Sequence, residues 1–348
     1  MNKIALFSEV KNPENGSMNK VELGLMNILN KELSYKIKIY RPLNYQIFKN
    51  RFFSLLIKYV FSSIKIFFLN FKNIDNLFFL DQGCSFYKFF YFKKSTVLIH
   101  DLIPHLQNNG KFKGRKKNNI ILYYLILQSL KLHNDYYFIS KTTFNDFARL
   151  TGKKVESKII FPLFYLDDNI EYNNEIQLIK KVPVHVTIIT SNAWYKKDNE
   201  LHLIINSIQN NKNLKINIIS LSKYKEIELL ENINKVSVYY DISEEKKNFI
   251  LKESDFLIFN SIYEGFGLPI IEGLKYSNII FARKIDHFKN IYKENINYFS
   301  IENLENFKNN FNKIANSKEL IKKEKELSYK TYSMILNEYN KQLKIFRN

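Results

Sequence analysis

Short apolar segments alternate with amphipathic segments along the first half of the chain. The amphipathic segments carry apolar residues at helical spacing, as at Val21, Leu25, Ile28 and Leu29. The apolar segments that have the length of a buried strand are residues 3–8, 35–40, 76–80, 95–99 and 136–140. The segments with helical periodicity are residues 19–33, 52–71, 120–132 and 142–150. This alternation predicts a parallel sheet covered by helices, the α/β class.

The second half of the chain repeats this pattern after a polar stretch, residues 167–181, that has no apolar periodicity. The predicted strands are 184–190, 215–220, 235–239, 256–260 and 278–282, and the predicted helices are 200–208, 244–253, 269–276 and 318–346. We therefore predict two α/β domains and place their ligand site at the carboxyl ends of the strands. The predicted boundaries are 1–168 for the first domain, 169–182 for the linker, 183–320 for the second domain and 321–348 for a C-terminal helix.

Composition narrows the class of protein. With 348 residues, of which 45% are hydrophobic, the chain can bury sizeable cores, so a wholly disordered protein is excluded. A single cysteine, Cys84, excludes a disulfide framework and argues for a reducing, cytoplasmic location. The 53 Lys and Arg residues exceed the 34 Asp and Glu residues, giving a net charge of +19. Such a surface attracts anions: nucleic acid, an anionic membrane or phosphorylated ligands.

The apolar helix predicted at 52–71 carries cations at regular intervals. Arg51, Lys58, Lys65 and Lys72 recur every seven residues, close to two helical turns, so they are expected to form one basic stripe. Two interpretations stay open. The four residues contact an anionic membrane on which the helix lies, or the helix is an ordinary domain helix with a narrow solvent-facing stripe.

One segment has the residue types of a ligand-binding loop. Residues 261–273 read SIYEGFGLPIIEG and directly follow a predicted strand. Gly265 and Gly267 allow a tight turn and a close approach of the backbone to a ligand, and Pro269 suits the first turn of a helix. Free N–H groups at that point favour a phosphate, whereas the carboxylates of Glu264 and Glu272 suit the hydroxyls of a sugar or ribose.

This segment resembles the glutamate-x7-glutamate signature of family four (group 1) glycosyltransferases. Their GT-B fold consists of two Rossmann-like domains with parallel sheets that face across a cleft. Other segments resemble the same family in the expected order: 97–104 with its His-Asp-x-x-Pro sequence, 140–143 with a serine at a helix start, and 190–205 with a candidate phosphate lysine. The resemblance also implies that the C-terminal helix crosses back onto the first domain.

The resemblance implies a function and a set of site residues. It implies transfer of a hexose from a nucleotide-sugar donor, with retention of anomeric configuration and with neither a metal nor a cofactor; the nucleotide-sugar is a co-substrate. His100 and Glu264 would be catalytic, close to the transferred sugar. The residues expected to bind the donor are Lys197 and Asn192, the loop Gly265, Phe266, Gly267 and Leu268, and Glu272 on the ribose. Gly16 and Asp101 would lie on the acceptor side.

The sequence also departs from the family pattern. The family has an arginine shortly before its phosphate lysine, and here residues 191–195 read SNAWY. Lys196 is a candidate substitute, although an ammonium lacks the bidentate fork of a guanidinium. Residues 276–278 read YSN, where the family has Gly-x-Pro, and Gly16 is the one glycine of the N-terminal acceptor loop.

The leading hypothesis is an enzyme of surface polysaccharide or lipopolysaccharide synthesis, cytoplasmic and peripheral on the inner face of the cell membrane. Its expected partners are a UDP- or GDP-sugar, a glycan or lipid-linked acceptor and an anionic membrane surface, without nucleic acid. Three alternatives stay open: a degenerate GT-B protein without transferase activity, a sugar-nucleotide epimerase, and a basic nucleic-acid-binding protein. Only the net charge favours the last, since no zinc finger, helix-turn-helix or aromatic RNA-reading signature is present.

Overall fold

Two structural units make up the chain. The computed structural model describes residues 4–8, 17–32, 38–41, 51–112, 119–164, 183–209, 211 and 213–347. The first unit comprises Met1–Asn169 together with Tyr339–Asn348, and the second comprises Ile170–Glu338. The stretch interpreted from sequence as the linker, 169–182, lies outside the described residues.

The first unit contains a parallel sheet of five described strands in the order β2-β1-β3-β4-β5. The strands are β1 (Ile4–Phe7), β2 (Lys38–Tyr40), β3 (Asn76–Phe79), β4 (Ser95–Ile99) and β5 (Asp135–Phe138). Leu6 on β1 lies opposite Ile39 on β2 and Phe78 on β3. All five residues of β4 are buried, which is expected of a parallel strand with helices on both faces.

Five α-helices accompany this sheet in the described residues. They are α1 (Ser17–Glu32), α2 (Arg51–Leu69), α3 (Ile103–Asn108), α4 (Ile120–Leu130) and α5 (Lys141–Thr151). Helix α2 ends at Leu69, so the sequence prediction that Lys72 belongs to one helical stripe is wrong; Lys72 follows the helix in a turn. A 3-10 helix at Gln82–Phe90, capped by the Asp81 carboxylate, was not predicted from the sequence.

The second unit contains a parallel sheet of six described strands in the order β11-β10-β9-β6-β7-β8. The strands are β6 (Val184–Thr190), β7 (Leu214–Ser220), β8 (Val236–Tyr240), β9 (Phe256–Phe259), β10 (Ile279–Arg283) and β11 (Asn297–Phe299). Phe281, Ile258, Ile188 and Ile218 lie side by side across four strands and belong to the buried core. The order places the carboxyl ends of β6, β9 and β10 at neighbouring positions of one edge.

In the part of the second unit that the structure describes, seven α-helices accompany the sheet. They are α6 (Leu201–Ile208), α7 (Lys225–Glu228), α8 (Glu244–Glu253), α9 (Leu268–Lys275), α10 (Asp286–Tyr292), α11 (Leu304–Ala315) and α12 (Lys318–Arg347). Helix α9 lies very close to the sheet. A β-carbon on Gly273 would stand 2.7 Å from the Leu257 side chain on β9 and 3.0 Å from that of Ile280 on β10. A glycine is therefore needed where the two surfaces meet.

Helix α12 contributes to both units. In the second unit, Lys325 forms an ion pair of 2.8 Å with Asp255. In the first unit, the Gln342 amide oxygen accepts a hydrogen bond of 2.8 Å from the Phe161 N–H. None of the helices in the described part of the chain has the length and hydrophobicity that a membrane-spanning segment requires.

Candidate functional site

Two loops of the second unit are tied together at the carboxyl edge of its sheet. One loop follows β6 and the other follows β9. The Tyr195 carbonyl accepts hydrogen bonds from the Ile262 N–H at 2.8 Å and from the Ser261 hydroxyl at 3.3 Å. The Asn260 amide donates to the Lys197 carbonyl at 3.1 Å. The β6 loop and the glutamate-glycine segment therefore form one structural element.

Glu264 is paired with a lysine of the neighbouring loop. Its Oε1 lies 2.5 Å from the Nζ of Lys196, and the two side chains are 15% and 13% exposed. The same ammonium stands 4.2 Å from the centroid of the Phe259 ring, a distance that allows a cation–π interaction. Lys196 is thus held against the carboxylate that the sequence assigned to the transferred sugar.

Lys197, the lysine selected from sequence for the donor diphosphate, takes a different direction. Its backbone is left-handed, with φ of 56°, and its Nζ lies 3.7 Å from Glu200 Oε1. Glu200 is also paired with Arg283, whose Nη1 stands 3.3 Å from the Asn260 amide oxygen. Sequence reasoning missed Arg283. The sequence did offer one signal for Arg283, because this residue directly follows the predicted strand 278–282.

Glu272 is paired with a lysine that sequence reasoning also missed. Its Oε1 lies 2.8 Å from Nζ of Lys247 on α8, and the side chains are 11% and 12% exposed. Lys247 also contacts Glu244 at 3.0 Å. Burial alone would lower the pKa of Lys247, but the charges and hydrogen bonds of Glu272 and Glu244 outweigh it and raise that pKa above its ordinary 10.5. In sequence, Lys247 looks like half of an exposed helical charge pair with Glu244.

The glycine loop has the backbone geometry that the sequence required. Gly267 has φ of +86°, and a β-carbon there would lie 2.8 Å from the Phe288 ring. Phe266 is 2% exposed and Gly265 is buried, so both belong to the interior. Leu268 begins α9, with Pro269 in the first turn. The Gly267 side of α9 therefore presents backbone N–H groups in the same loop that holds Glu264.

A buried aspartate anchors the β6 loop. The hydroxyls of Thr190 and Tyr224 each donate to a carboxylate oxygen of Asp198. Burial raises the pKa of Asp198, and the two hydroxyl donors act in the opposite direction. Asn192, expected from sequence to bind the donor, is exposed in the same loop.

His100 lies in the first unit, at the carboxyl end of β4. Its Nε2 is 2.8 Å from the Leu80 carbonyl, which can only accept, so Nε2 carries the proton. Its pKa is lowered chiefly by burial, with the Leu80 hydrogen bond and Asp101 acting against this. A neutral His100 therefore has its lone pair on Nδ1. The Asp101 carboxylate, assigned from sequence to the acceptor side, accepts a hydrogen bond of 3.0 Å from the Ile103 N–H.

The remaining sequence-selected residues are described only in part. Gly16 and the side chains of Arg51 and Lys58 lie outside the described residues. Lys65 donates to the Arg41 carbonyl at 3.0 Å, and the Lys72 ammonium stands 5.4 Å from the Tyr40 ring centroid. In the described ranges, no group of three or more His, Cys, Asp or Glu side chains is arranged to hold a metal ion.

Solved structures share this architecture over nearly the whole chain. Sucrose-phosphate synthase (tll1590) from Thermosynechococcus elongatus has a TM-score of 0.75 and 11% identity, covering 100% of this chain and 98% of its own. Anabaena Alr3699/HepE, in complex with UDP and glucose, has a TM-score of 0.68 and 11% identity, with 99% of each chain covered. WaaG, a glycosyltransferase involved in lipopolysaccharide biosynthesis, has a TM-score of 0.67 and 10% identity, with 95% of each covered. These likenesses establish the fold.

The two Rossmann-like units and the site at a sheet's carboxyl edge define a protein of the GT-B class, as the sequence predicted. Residues 186–334 match the model of the family described as glycosyl transferases, group 1. This match confirms the resemblance to group 1 glycosyltransferases seen in the 261–273 segment. No curated protein sequence is similar enough to the chain to count as a relative.

Proposed function

We propose that this protein transfers a hexose from a nucleotide-sugar donor to an acceptor hydroxyl, with retention of configuration at the anomeric carbon. In this reaction, the bond from the sugar C1 to the diphosphate oxygen breaks and a bond from C1 to the acceptor oxygen forms. The acceptor proton leaves with the nucleoside diphosphate. Retention is carried over from the family that the motif resembles.

The pair of Lys196 and Glu264 is the observation that supports this proposal most directly. An ammonium and a carboxylate 2.5 Å apart suit a ligand in which an anion and neutral hydroxyls are neighbours. A sugar diphosphate has that arrangement. Its hydroxyls would bind Glu264, and its phosphates would lie at Lys196 and at the N–H groups before α9. The positive charge then faces the diphosphate, whose negative charge grows as the C1–O bond breaks.

Two further groups of paired charges lie in the second unit: Lys197, Glu200 and Arg283, and Lys247 with Glu272. We propose a separate role for each group. Lys197 remains the diphosphate ligand that the resemblance implies, and rotation of its side chain away from Glu200 would be needed. Arg283 would stay paired with Glu200 whether or not the Lys197 side chain rotates. Glu272 would bind the ribose hydroxyls, and the ion pair with Lys247 holds its carboxylate in place.

The donor is proposed to be a UDP- or GDP-sugar. The structural neighbour HepE was solved with UDP and glucose. The proposed acceptor is a glycan or a lipid-linked sugar in surface polysaccharide or lipopolysaccharide synthesis, the latter being the process to which the neighbour WaaG belongs. The proposed location is the cytoplasm, at the inner face of the cell membrane.

A thermal-shift panel tests the donor site. UDP, GDP, ADP, CMP and their common sugar conjugates are added to the wild type and to variants. A ligand at about a hundred times its Kd stabilises the folded state by about 2.7 kcal/mol. We expect one nucleoside diphosphate to stabilise the wild type and the control Lys225→Met, an exposed lysine of the same unit. Lys196→Met, Lys197→Met and Glu272→Gln should each lose much of that shift.

Product analysis then tests the reaction. With the identified donor and a panel of sugar acceptors, a new glycosidic product with the donor's anomeric configuration supports retaining transfer. Release of free nucleotide together with an epimerised sugar, without any acceptor, would favour an epimerase. If no nucleotide shifts the wild type, the degenerate GT-B alternative replaces the proposal.

A further inference from the structure

A continuous apolar surface lies on the first unit. Four phenylalanines form its centre, which we call the phenylalanine cluster: Phe67, Phe68, Phe71 and Phe92. Phe71 and Phe92 are 75% and 72% exposed. Ring centroids in the cluster lie 5.6–6.5 Å apart, so the exposed rings contact one another. Contiguous apolar patches of this kind mark interaction surfaces.

Polar contacts hold the phenylalanine cluster in place. The Asn70 side chain donates to the Phe90 carbonyl at 2.9 Å and accepts from the Phe92 N–H at 2.8 Å. These bonds join the end of α2 to the end of the 3-10 helix, Gln82–Phe90. Phe92 is thereby fixed beside Phe67, with ring centroids 6.2 Å apart. The exposed rings therefore belong to a surface that hydrogen bonds hold in place.

A pocket of about 470 Å³ opens in the same surface. It lies between α2 and the 3-10 helix and is lined mainly by Val60, Ile64, Phe67, Phe68, Phe86 and Phe90. Ser63 also lines it, but its hydroxyl donates to the Tyr59 carbonyl of its own helix at 2.6 Å. The lining thus offers apolar contact, which suits a hydrocarbon chain better than a sugar or nucleotide.

Lysines lie around this surface. Lys65 and Lys72 are exposed on the α2 side, and exposed Lys93 follows Phe92 directly. The Lys93 ammonium donates to the Lys72 carbonyl at 2.8 Å, which keeps these two lysine residues next to the cluster. Apolar side chains bordered by cations match the interface of an anionic bilayer, where hydrocarbon lies below a layer of phosphate.

We infer that this surface binds an anionic phospholipid membrane, with the phenylalanine cluster inserted among the acyl chains and the end of one chain entering the pocket. A second copy of this chain would be a poorer occupant. It would bring another net charge of +19 and the same lysines against this surface. The inference rests on the membrane location proposed above and assigns that location to a particular surface. Vesicle binding tests it without donor or acceptor, so its failure would leave the proposed sugar transfer untouched.

In the sequence interpretation, membrane contact was one of two possibilities for this helix, and the residues named for it were those of the basic stripe. In the structure, the described half of α2 turns Val60, Phe61, Ile64, Phe67 and Phe68 outward, and these residues are 39–59% exposed. The inserting part of the surface is therefore apolar and aromatic, and the lysines border it. Both features should be needed for binding.

Flotation of the full chain with vesicles tests the inference. We expect the wild type to bind vesicles of phosphatidylcholine with phosphatidylglycerol and to bind pure phosphatidylcholine much more weakly. Phe71→Ser with Phe92→Ser should weaken binding by about tenfold or more, since two large apolar side chains no longer insert. The matched control is Leu221→Ser with Leu229→Ser, which removes two exposed apolar side chains, 65% and 61% exposed, from the second unit. It should bind like the wild type.

A fluorescence measurement separates insertion from electrostatic adsorption. The single tryptophan, Trp194, is first removed by Trp194→Phe. In that background, Phe71→Trp should show a blue shift with anionic vesicles and quenching by lipids brominated on the acyl chain. Leu221→Trp should show neither.

Two results would overturn the inference. Equal vesicle binding by the wild type and the Phe71→Ser/Phe92→Ser variant would show that overall charge alone is responsible. A wild type that is a dimer without vesicles, and that becomes monomeric in this variant, would show that the surface binds a second copy. Analytical ultracentrifugation of both proteins decides this point.

Discussion

The ion pair between Lys247 and Glu272 allows a quantitative test of the site in the second unit. Lys247→Met keeps most of the aliphatic length of the side chain and removes its charge. The Glu272 carboxylate, 11% exposed, then loses the ammonium that stands 2.8 Å away. An ionised carboxylate at such a site must regain water or bind a proton, and either change costs free energy.

The size of the effect follows from burial. Removing one partner of a buried ion pair costs about 3–5 kcal/mol. Both side chains here keep 11–12% exposure, so we expect a value near the lower end, about 3 kcal/mol. A domain of 150–250 residues loses about 2–4 °C of Tm for each kcal/mol, which gives a fall of about 6–12 °C for the transition of the second unit.

A double-mutant cycle measured by scanning calorimetry separates the pair from other effects of the substitutions. Glu272→Gln removes the other charge at nearly constant size. The double variant should melt above Lys247→Met, since no unpaired charge is left at the site. A Tm for Lys247→Met within about 2 °C of the wild type, or strictly additive effects of the two substitutions, would refute the reasoning.

The same pair predicts a dependence on pH. The pKa of Lys247 is raised in the folded chain above its ordinary 10.5. Its stabilising contribution is therefore fully present below pH 10.5 and is lost as pH rises through the folded-state pKa. The difference in Tm between the wild type and Lys247→Met should stay constant from neutral pH to about pH 10 and shrink above it.

Three further predictions concern separate features. In urea unfolding, Gly267→Ala should lower the stability of the second unit by about 1–3 kcal/mol more than Gly110→Ala lowers that of the first unit. Both glycines have positive φ, but only at Gly267 would the added β-carbon meet a neighbour, the Phe288 ring. Equal losses of stability would contradict this prediction. Burial lowers the pKa of His105 to about 4, so the wild type should lose up to about 3 kcal/mol of stability between pH 6.5 and pH 4 that His105→Phe does not lose; parallel pH profiles would contradict it. Sugar transfer should proceed unchanged in EDTA if the Lys196 ammonium neutralises the diphosphate in place of a metal ion. Loss of activity in EDTA that only a divalent metal restores would contradict this prediction.

The alternation of strands and helices was predictable because it depends on local sequence. Buried parallel strands are short continuous apolar runs, and this signal located β4, β6, β9 and β10 to within a residue or two. The edge strand β11, Asn297–Phe299, was missed because three residues give no period to recognise. The 261–273 segment was equally local, since its glycines, proline and glutamates act through neighbouring backbone.

Contacts between distant residues were not predictable in the same way. Lys196 and Glu264 are 68 residues apart, and Arg283 and Glu200 are 83 apart. They meet because β6, β9 and β10 are neighbours in the sheet, an order that follows from packing of the whole unit. The sequence interpretation chose Lys197 for the diphosphate and named Lys196 only as a substitute for the family's arginine. In the structure, the backbone of the β6 loop directs the two lysines to different carboxylates, Glu264 and Glu200.

Helix α2 also shows which features the local sequence determines and which depend on tertiary structure. The sequence by itself predicted an apolar helix with regularly spaced cations over residues 52–71, and the structure places the helix at 51–69. The sequence did not determine which face is buried, because a helix that is apolar on most sides has no single face that must turn inward. Only the tertiary structure decided that Ile66 and Leu69 enter the core while Phe68 and, just beyond the helix, Phe71 face outward. The physical reason is that local periodicity fixes backbone conformation, whereas burial depends on which surfaces the rest of the chain supplies.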